Sequence, residues 1–286
     1  MQRLPLILGA AAFGALALAA PAQAGCDPKL LNTPAGTAFI YDGKIGEAPA
    51  RLAIIFRKDG GIEGRYAFAT STAEIPVKGK LAPGSDRFTL TEPGADGKPS
   101  ATFTGAFSQP VPPSAAVIGI PKPKFYRAPS ISPGPVTSPD RAEAFETNCL
   151  LISGARQETS GASQDLDFQR NRTLDHPQFG HLYAIAGVAD DEILNRRAQA
   201  FLQAIADNQR EEVVKHFRFP IAFTIGGKFV GIENEKDLLA RYDDVFRPDV
   251  RKSLARLVPR MMQATEAGIV LAFGIWLDKD GYIISF

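Results

Sequence analysis

Short runs of alternating apolar and polar residues, separated by turn sequences, fill the chain from about residue 36 to residue 107. In one of these runs Ile62 and Tyr66 fall on one face, whereas Glu63 falls on the other. A period of two is typical of β-strands that bury one face. The intervening turns are Asp59-Gly60-Gly61, Pro83-Gly84 and Pro93-Gly94-Ala95-Asp96-Gly97. Strands this short, with turns this frequent, predict an antiparallel all-β domain over residues 25–107, folded as a barrel or a sandwich.

Proline becomes frequent after this β region. Nine of the 22 prolines lie between Pro110 and Pro139, a density that favours extended chain over packed helix or strand. Residues 154–180 are polar and show no period that assigns them to an element. We therefore predict that residues 108–189 form a proline-rich linker and an irregular connection between two domains.

Helical and strand periods alternate in the last third of the chain. A helix is predicted to begin at Asp190, where apolar residues recur at helical spacing, and Asn234 is predicted to cap a later helix. Gly226-Gly227 predicts a β-hairpin, and two more strands are predicted at the C-terminus. The apolar residues of the first helix are Ile193, Leu194, Ala198, Phe201, Leu202 and Ile205. Residues 190–286 are therefore predicted to form a second domain of the α+β class.

Several sequence runs carry family resemblances. The C-terminal runs are Phe-Leu-Gln-Ala-Ile-Ala-Asp-Asn, Phe-Arg-Phe-Pro-Ile, Lys-Asp-Leu-Leu-Ala-Arg-Tyr and Phe-Gly-Ile-Trp-Leu-Asp. With them the C-terminal part resembles the SnoaL-like group of the nuclear transport factor 2 fold. The resemblance implies an α+β cone, in which helices pack on a curved antiparallel sheet around a pocket, and association as a homodimer. The N-terminal runs, among them Gly-Arg-Tyr-Ala-Phe and Phe-Thr-Gly-Ala-Phe, resemble small β modules of exported bacterial proteins of unknown function.

Aromatic residues are concentrated in the part that the resemblance assigns to the pocket. The candidates for its lining are Phe217, Phe219, Phe223, Tyr242, Phe246 and Trp276. The alternative is that they form core, as aromatic residues at helical and strand spacing usually do. The polar candidates beside them are His216, Arg218, Arg241 and Asp243. No residue pair matches the catalytic positions of the steroid isomerases of this fold, so we assign no catalytic residue.

The N-terminus has the pattern of a secretory signal peptide. Arg3 is followed by an apolar, alanine-rich stretch and then by the small-residue sequence Ala22-Gln23-Ala24. We expect residues 1–24 to be removed and the protein to be periplasmic or secreted.

The two cysteines, Cys26 and Cys149, allow two interpretations. In an oxidising compartment they can form a disulfide. A cysteine just after the signal sequence is also where bacterial lipoproteins carry a lipid anchor, although Gln23 stands where such signals usually have Leu. We expect the disulfide, and a lipid anchor through Cys26 is the alternative.

Charge and motifs argue against several classes of function. The 32 Lys and Arg residues balance 31 Asp and Glu residues, which argues against nucleic-acid binding. The sequence lacks a P-loop, a Rossmann glycine pattern, G-x-S-x-G and H-E-x-x-H. Asp175, His176 and His181 are too few and too irregularly spaced for a zinc site. We therefore expect no metal, no cofactor and no transmembrane span in the mature chain.

These features together predict an exported, non-catalytic binding or interaction protein. Its partner would be a small apolar ligand in the C-terminal pocket or a protein of the cell envelope. The alternative is an isomerase, cyclase or hydratase in the C-terminal cone, which a buried carboxylate or His216 pointing into a cavity would favour. A third hypothesis is an envelope inhibitor or stress factor that presents its β domain to a hydrolase.

Overall fold

The computed structural model describes most of the chain apart from its N-terminal residues and a long internal stretch. The predicted signal peptide and the prolines between residues 110 and 148 lie outside the described part. The described residues are 26, 36–94, 96–109, 149–175, 177–272 and 274–286.

Eight antiparallel strands close into a barrel between residues 38 and 174. They are β1 (Ala38–Ile45), β2 (Ala48–Phe56), β3 (Gly61–Phe68), β4 (Ile75–Leu81), β5 (Arg87–Pro93), β6 (Pro99–Ser108), β7 (Leu151–Glu158) and β8 (Ser163–Leu174). Each strand pairs with the next, and β8 pairs back with β1. The predicted β region supplies β1 to β6, and of the two forms predicted for it the barrel is confirmed, although the barrel extends beyond residue 107.

The last two barrel strands correct the predicted connection between the domains. β7 and β8 lie within residues 108–189, which were predicted to be linker and irregular chain. Ile152, Leu166 and Phe168 point into the barrel and are buried, whereas the alternate residues of β8, together with Ser153 and Gln157 of β7, are polar and face solvent. Because these two strands carry so few apolar residues, the alternation of apolar and polar residues that is typical of a strand is hard to detect in their sequence.

Aromatic side chains fill the interior of the barrel. The rings of Phe56 and Phe107 have centroids 5.3 Å apart, and so do those of Tyr66 and Phe103. An eight-stranded barrel is just wide enough for its own side chains to fill it. The interior is therefore a packed core that supports the rest of the molecule.

Cys26 and Cys149 form a disulfide that packs against this core. The Tyr41 hydroxyl donates a hydrogen bond of 3.0 Å to the carbonyl oxygen of Cys149. The predicted disulfide is thus present, and it uses the sulfur to which a lipid anchor on Cys26 would be attached.

The C-terminal part contains five helices and six strands among its described residues. They are α1 (Asp191–Ala206), α2 (Arg210–Val214), β9 (Ile221–Ile225), β10 (Lys228–Ile232), α3 (Glu235–Ala240), α4 (Tyr242–Val245), α5 (Pro248–Leu254), β11 (Gln263–Thr265), β12 (Gly268–Ala272), β13 (Ile275–Leu277) and β14 (Ile283–Ser285). The Asp190 side chain accepts from the Glu192 amide at 2.8 Å, and the Asn234 side chain from the Asp237 amide at 3.0 Å. Both predicted helix starts are confirmed. Ile193, predicted on the apolar face of the first helix, is instead 48% exposed.

Two separate sheets replace the predicted cone. β9 and β10 form a two-stranded hairpin, whereas β11 to β14 form a four-stranded sheet in sequence order. An isolated bridge joins Phe217, which precedes the hairpin, to Ile283 of β14. Three strands of the larger sheet are only three residues long, and register shifts interrupt its β12–β13 and β13–β14 pairings. The predicted α+β cone is therefore wrong, because such short, interrupted strands do not form one long curved sheet.

The C-terminal part is fastened to the outside of the barrel by arginines. Arg51 donates hydrogen bonds to the carbonyl oxygens of Val258, at 2.9 Å, and Arg260, at 2.7 Å. Arg172 donates to the carbonyl oxygen of Met261. Burial and, after it, the neighbouring Arg51 lower the pKa of Arg172 to about 10. Alanine and isoleucine side chains of β1 to β3 pack against Val258 and Met261, so the attachment combines apolar burial with charge-assisted hydrogen bonds.

Arg260 is itself buried in this attachment, with 2% of its surface exposed. Its guanidinium donates to the Glu192 carboxylate at 2.8 and 2.9 Å and to the carbonyl oxygen of Ser71 at 3.1 Å. Through Arg260 the helix α1 is therefore linked to the barrel. Within the described residues, no helix is both long and apolar enough to cross a membrane.

Candidate functional site

A small cleft opens on the surface of the C-terminal part, between the β9–β10 hairpin and the segment that joins α4 to α5. Its volume is about 260 Å³, and it is open to solvent on one side. Its lining is Phe223, Thr224, Gly226, Asp244, Val245, Arg247, Val250 and Phe286. The apolar members form the floor, and Asp244 and Arg247 place one charge of each sign at the exposed rim.

The predicted pocket-lining aromatics belong mostly to the core beneath this cleft. Phe217, Tyr242 and Phe246 are buried, with at most 5% of their surface exposed. Phe219 is partly buried against the same core, and Trp276 is partly exposed on the outer face of β13. Of the six predicted residues, Phe223 alone lines the cleft.

These aromatics form a cluster around Phe217. The Phe217 ring centroid lies 5.7 Å from that of Phe223, 5.8 Å from Phe201 and 6.1 Å from both Phe246 and Phe286. Rings at such tilted angles and distances stabilise a core beyond the area that they bury. The cluster therefore holds Phe223 and Phe286 in place as the floor of the cleft.

The predicted polar candidates do not converge on one site. Arg218 forms an ion pair of 2.8 Å with Asp278, and Asp243 forms one of 2.7 Å with Arg210. Arg241 is exposed and ends α3. Arg218 and Asp243 are therefore engaged in separate ion pairs, and Arg241 lies apart from both at the end of α3.

His216 is half-buried beside the core rather than in the cleft. Its ring centroid lies 5.7 Å from that of Phe201, and its Nε2 atom is buried without a hydrogen-bond partner. Burial lowers the pKa of His216, and the Glu212 carboxylate, 4.0 Å away, opposes this only in part. The imidazole is thus held neutral against an aromatic neighbour.

Sequence reasoning missed most of the cleft lining. The sequence gives no reason to separate Val245, Val250 and Phe286 from ordinary core residues. Asp244 and Arg247 lie in a charged stretch that resembles any solvent-exposed surface. No local motif marks them, because the cleft arises where the hairpin, the α4–α5 segment and the C-terminus meet.

The β9–β10 hairpin forms one wall of the cleft and exposes a large aromatic ring. Its two-residue loop is Gly226-Gly227, with φ angles of 57° and 79° that glycine adopts readily. Phe229, just after the loop, has 88% of its surface exposed. In the described part of the chain β10 pairs with β9 alone, so the other edge of β10 is uncovered by any strand.

Apart from the cleft, a cluster of charged and polar residues around Glu92 lies at one end of the barrel. Glu92 accepts hydrogen bonds from Tyr66 at 2.6 Å, Ser100 at 2.7 Å and Arg156 at 3.1 Å. Burial favours a raised pKa for Glu92, but these three hydrogen bonds outweigh it and hold the pKa below its ordinary value. Because three donors satisfy the Glu92 carboxylate, we interpret this cluster as a structural part of the barrel, in which the Nε atom of Arg156 is buried without a hydrogen-bond partner among the described residues.

Across the described residues, no group of three or more His, Cys, Asp or Glu side chains is placed to hold a metal ion. Asp175 and His181 are exposed, and His176 lies outside the described residues. Comparison with protein-family models, with curated proteins and with solved structures finds no match to this chain.

Proposed function

We propose that this chain is an exported, non-catalytic interaction protein whose C-terminal cleft receives an apolar side chain of a partner protein. The cleft itself carries the proposal, because it joins an apolar floor of Phe223, Val245, Val250 and Phe286 to a charged rim. An apolar pocket with a polar rim is the usual form of an interface centre that receives an anchoring side chain.

The size of the cleft favours a side chain over a whole small molecule. Pockets for drug-sized ligands and cofactors usually span about 300 to 1,000 Å³ and bury most of the ligand. A cleft of about 260 Å³ that is open on one side falls below that range. It suits one ring or one branched aliphatic group, with the remainder of the partner lying on the surface.

The disulfide supports an oxidising compartment as the place of action. Disulfides persist in exported proteins and are rare in the cytosol, where thiols are kept reduced. The pairing of Cys26 with Cys149 thus agrees with the expected signal peptide at residues 1–24. Periplasmic and secreted forms both fit this proposal.

The enzyme alternative has less support from the positions of its candidate residues. An isomerase or hydratase needs an acid–base group within hydrogen-bond reach of its substrate. His216 packs on Phe201, and Asp243 pairs with Arg210, so neither lines the cleft. Loss of a measured turnover on His216→Ala would nevertheless decide for the enzyme.

The proposal is tested with single side chains as probes. Titration of isotope-labelled protein with N-acetyl-leucinamide or N-acetyl-phenylalaninamide should shift the amide signals of Val245 and Val250, with affinity in the roughly millimolar range of small fragments. Val250→Trp, which fills the cleft, should abolish the shifts. Ile193→Trp, on an exposed position of α1, should leave them unchanged. Absence of shifts in the unsubstituted protein, or equal loss in both variants, would refute the proposal.

A partner protein is sought by photo-cross-linking in the exporting cell. A benzophenone amino acid at Thr224, on the rim, should give a discrete adduct, whereas the same group at Ile193 should not. The adduct should disappear when Val250→Trp is introduced, since the anchor then has no cleft. An adduct that survives this substitution would place the partner elsewhere.

A further inference from the structure

Two residues of strand β10, Phe229 and Gly231, have side-chain types that no contact within the described part of the chain accounts for. The ring of Phe229 is 88% exposed, and Gly231, two residues later on the same face of the strand, carries no side chain. A Cβ atom at Gly231 would meet only the Glu233 carboxylate, at 3.8 Å, which is an ordinary contact, and the backbone there does not have a positive φ. Glycine inside a strand costs about 0.5–1 kcal/mol relative to alanine. Glycine inside a strand often marks a bulge, a tight bend or a place that a ligand or another backbone approaches closely.

The free edge of β10 offers its backbone groups at the same two residues. A two-residue loop with both φ angles positive makes Ile225 and Lys228 the closing hydrogen-bonded pair of the hairpin. Along an antiparallel ladder, hydrogen-bonded and non-hydrogen-bonded residue pairs alternate. Phe229 and Gly231 therefore make no backbone hydrogen bonds to β9. Their N–H and C=O groups consequently point to the uncovered edge.

We propose that β10 pairs with β10 of a second copy of this chain, antiparallel and about a two-fold axis at Val230. Phe229 of each copy then exchanges both backbone hydrogen bonds with Gly231 of the other. Two hairpins become one four-stranded sheet, and the exposed edge of each is covered.

The side chains favour a second copy over an unrelated strand. In this register each Phe229 ring lies across from the glycine of the other copy, which leaves it room, and aromatic rings stabilise cross-strand glycines in this way. A two-fold interface requires self-complementarity, and β10 has it in Phe229 and Gly231, which stand on either side of Val230. An unrelated strand would explain the open edge but not the matched Phe229 and Gly231.

Sedimentation equilibrium of the disulfide-bonded protein tests the pairing. Strands this short bury less than a standard interface, so we expect a dimer with a dissociation constant in the roughly micromolar range. Phe229→Lys should raise this constant at least about 10-fold, because the ring loses its cross-strand contact and two like charges meet. Ile185→Lys, at another exposed apolar residue (59% exposed), should change it by less than about twofold. A monomer at roughly 200 μM, well above such a constant, would overturn the proposal.

Cross-linking tests the register. Val230 faces itself across the axis at a non-hydrogen-bonded position, where Cα atoms are about 4.5 Å apart and within the range of a disulfide. Val230→Cys should therefore form a covalent dimer in a glutathione buffer, whereas Thr224→Cys, exposed on β9, should stay monomeric. A dimer that resists Phe229→Lys, or that cross-links through Thr224→Cys instead, would place the interface elsewhere. The cleft variant Val250→Trp should still dimerise, so this inference and the proposed function can fail separately.

Discussion

Arg156 lies 3.1 Å from Glu92 inside a barrel whose other inward residues are almost all apolar. Both side chains have about one tenth of their surface exposed, and the Tyr66 hydroxyl also donates to the Glu92 carboxylate. A buried carboxylate is tolerated where its charge is balanced and its oxygens are hydrogen-bonded. The barrel thus depends on the two residues being present together.

Removal of the cation alone should be more harmful than removal of the pair. Arg156→Met leaves Glu92 buried without its cation, and breaking a buried pair in this way costs about 3–5 kcal/mol of unfolding free energy. The double variant Arg156→Met with Glu92→Leu replaces both charges by apolar groups and should regain most of the loss. Urea denaturation of the three proteins measures the difference. A double variant as unstable as Arg156→Met would contradict this account of the pair.

Acid should remove the stabilisation that Glu92 provides. Burial alone favours a raised pKa, but the hydrogen bonds from Ser100, Tyr66 and Arg156 lower the folded-state pKa of Glu92 below its ordinary 4.5. The stabilisation is therefore complete above pH 4.5 and is lost as the pH falls through the folded-state pKa. Compared with Glu92→Gln, the natural protein should be more stable at pH 7, and this difference in stability should narrow as the pH falls below 4.5. A difference that is independent of pH would contradict the assignment.

The attachment of the C-terminal part to the barrel should depend on Arg51 far more than on a surface arginine. Arg51→Met leaves the carbonyl oxygens of Val258 and Arg260 without their donor and the Asp42 carboxylate without its ion-pair partner, and an unpaired buried polar group costs about 1–3 kcal/mol. Arg57, also near β2, forms an ion pair with Glu63 in which both side chains are about half exposed. Arg57→Met should therefore change stability by less than about 1 kcal/mol. Chemical denaturation compares them, and equal effects would show that the attachment does not rely on Arg51.

The aromatic cluster of the C-terminal part should behave as core. Phe246 is fully buried and packs against the rings of Phe217, Tyr242 and Phe286. Phe246→Ala should cost about 3–5 kcal/mol, as large-to-small substitutions of buried aromatics do. Phe229→Ala, which removes an 88% exposed ring, should cost the monomer less than about 0.5 kcal/mol. Thermal unfolding at low protein concentration separates the two, and a tolerated Phe246→Ala would favour a pocket over a core.

The barrel strands differ in how far the sequence could predict them. β1 to β6 have an apolar inward face, and most of their turns contain glycine or proline, so local pattern and final structure agree. β7 and β8 carry few large apolar residues, and they are strands because the barrel offers them partners on both sides. Pairing over a long sequence separation cannot be inferred from the local pattern of either strand.

Two further features could not be predicted from the sequence: which charged residues are buried, and how the C-terminal strands are arranged into sheets. Arg51 and Arg260 are buried, yet arginine is mostly exposed in proteins, and no local feature distinguishes these two. The sequence predicted the β9–β10 hairpin and two further strands at the C-terminus, where the structure has four, and it does not specify that the strands form two sheets rather than one. The cleft depends on that arrangement, which is why Phe223 was the one predicted lining residue to occupy it.

Loss of the disulfide should destabilise the protein mainly through its unfolded state. Cys26 and Cys149 are 123 residues apart in sequence, and the chain-entropy model gives a stabilisation of about 5 kcal/mol for a loop of that size, with measured values of about 2–5 kcal/mol. Cys26→Ser removes the cross-link and should lose this stabilisation, and the double variant with Cys149→Ser should lose at least as much, because it also buries a serine hydroxyl in the core. Tyr41 bonds to the backbone of Cys149, so its hydrogen-bonding partner remains in both variants. Urea denaturation without reductant provides the measurement, and it should show a lower midpoint in both variants. A midpoint equal to that of the disulfide-bonded protein would mean that the cross-link does not restrict the unfolded chain.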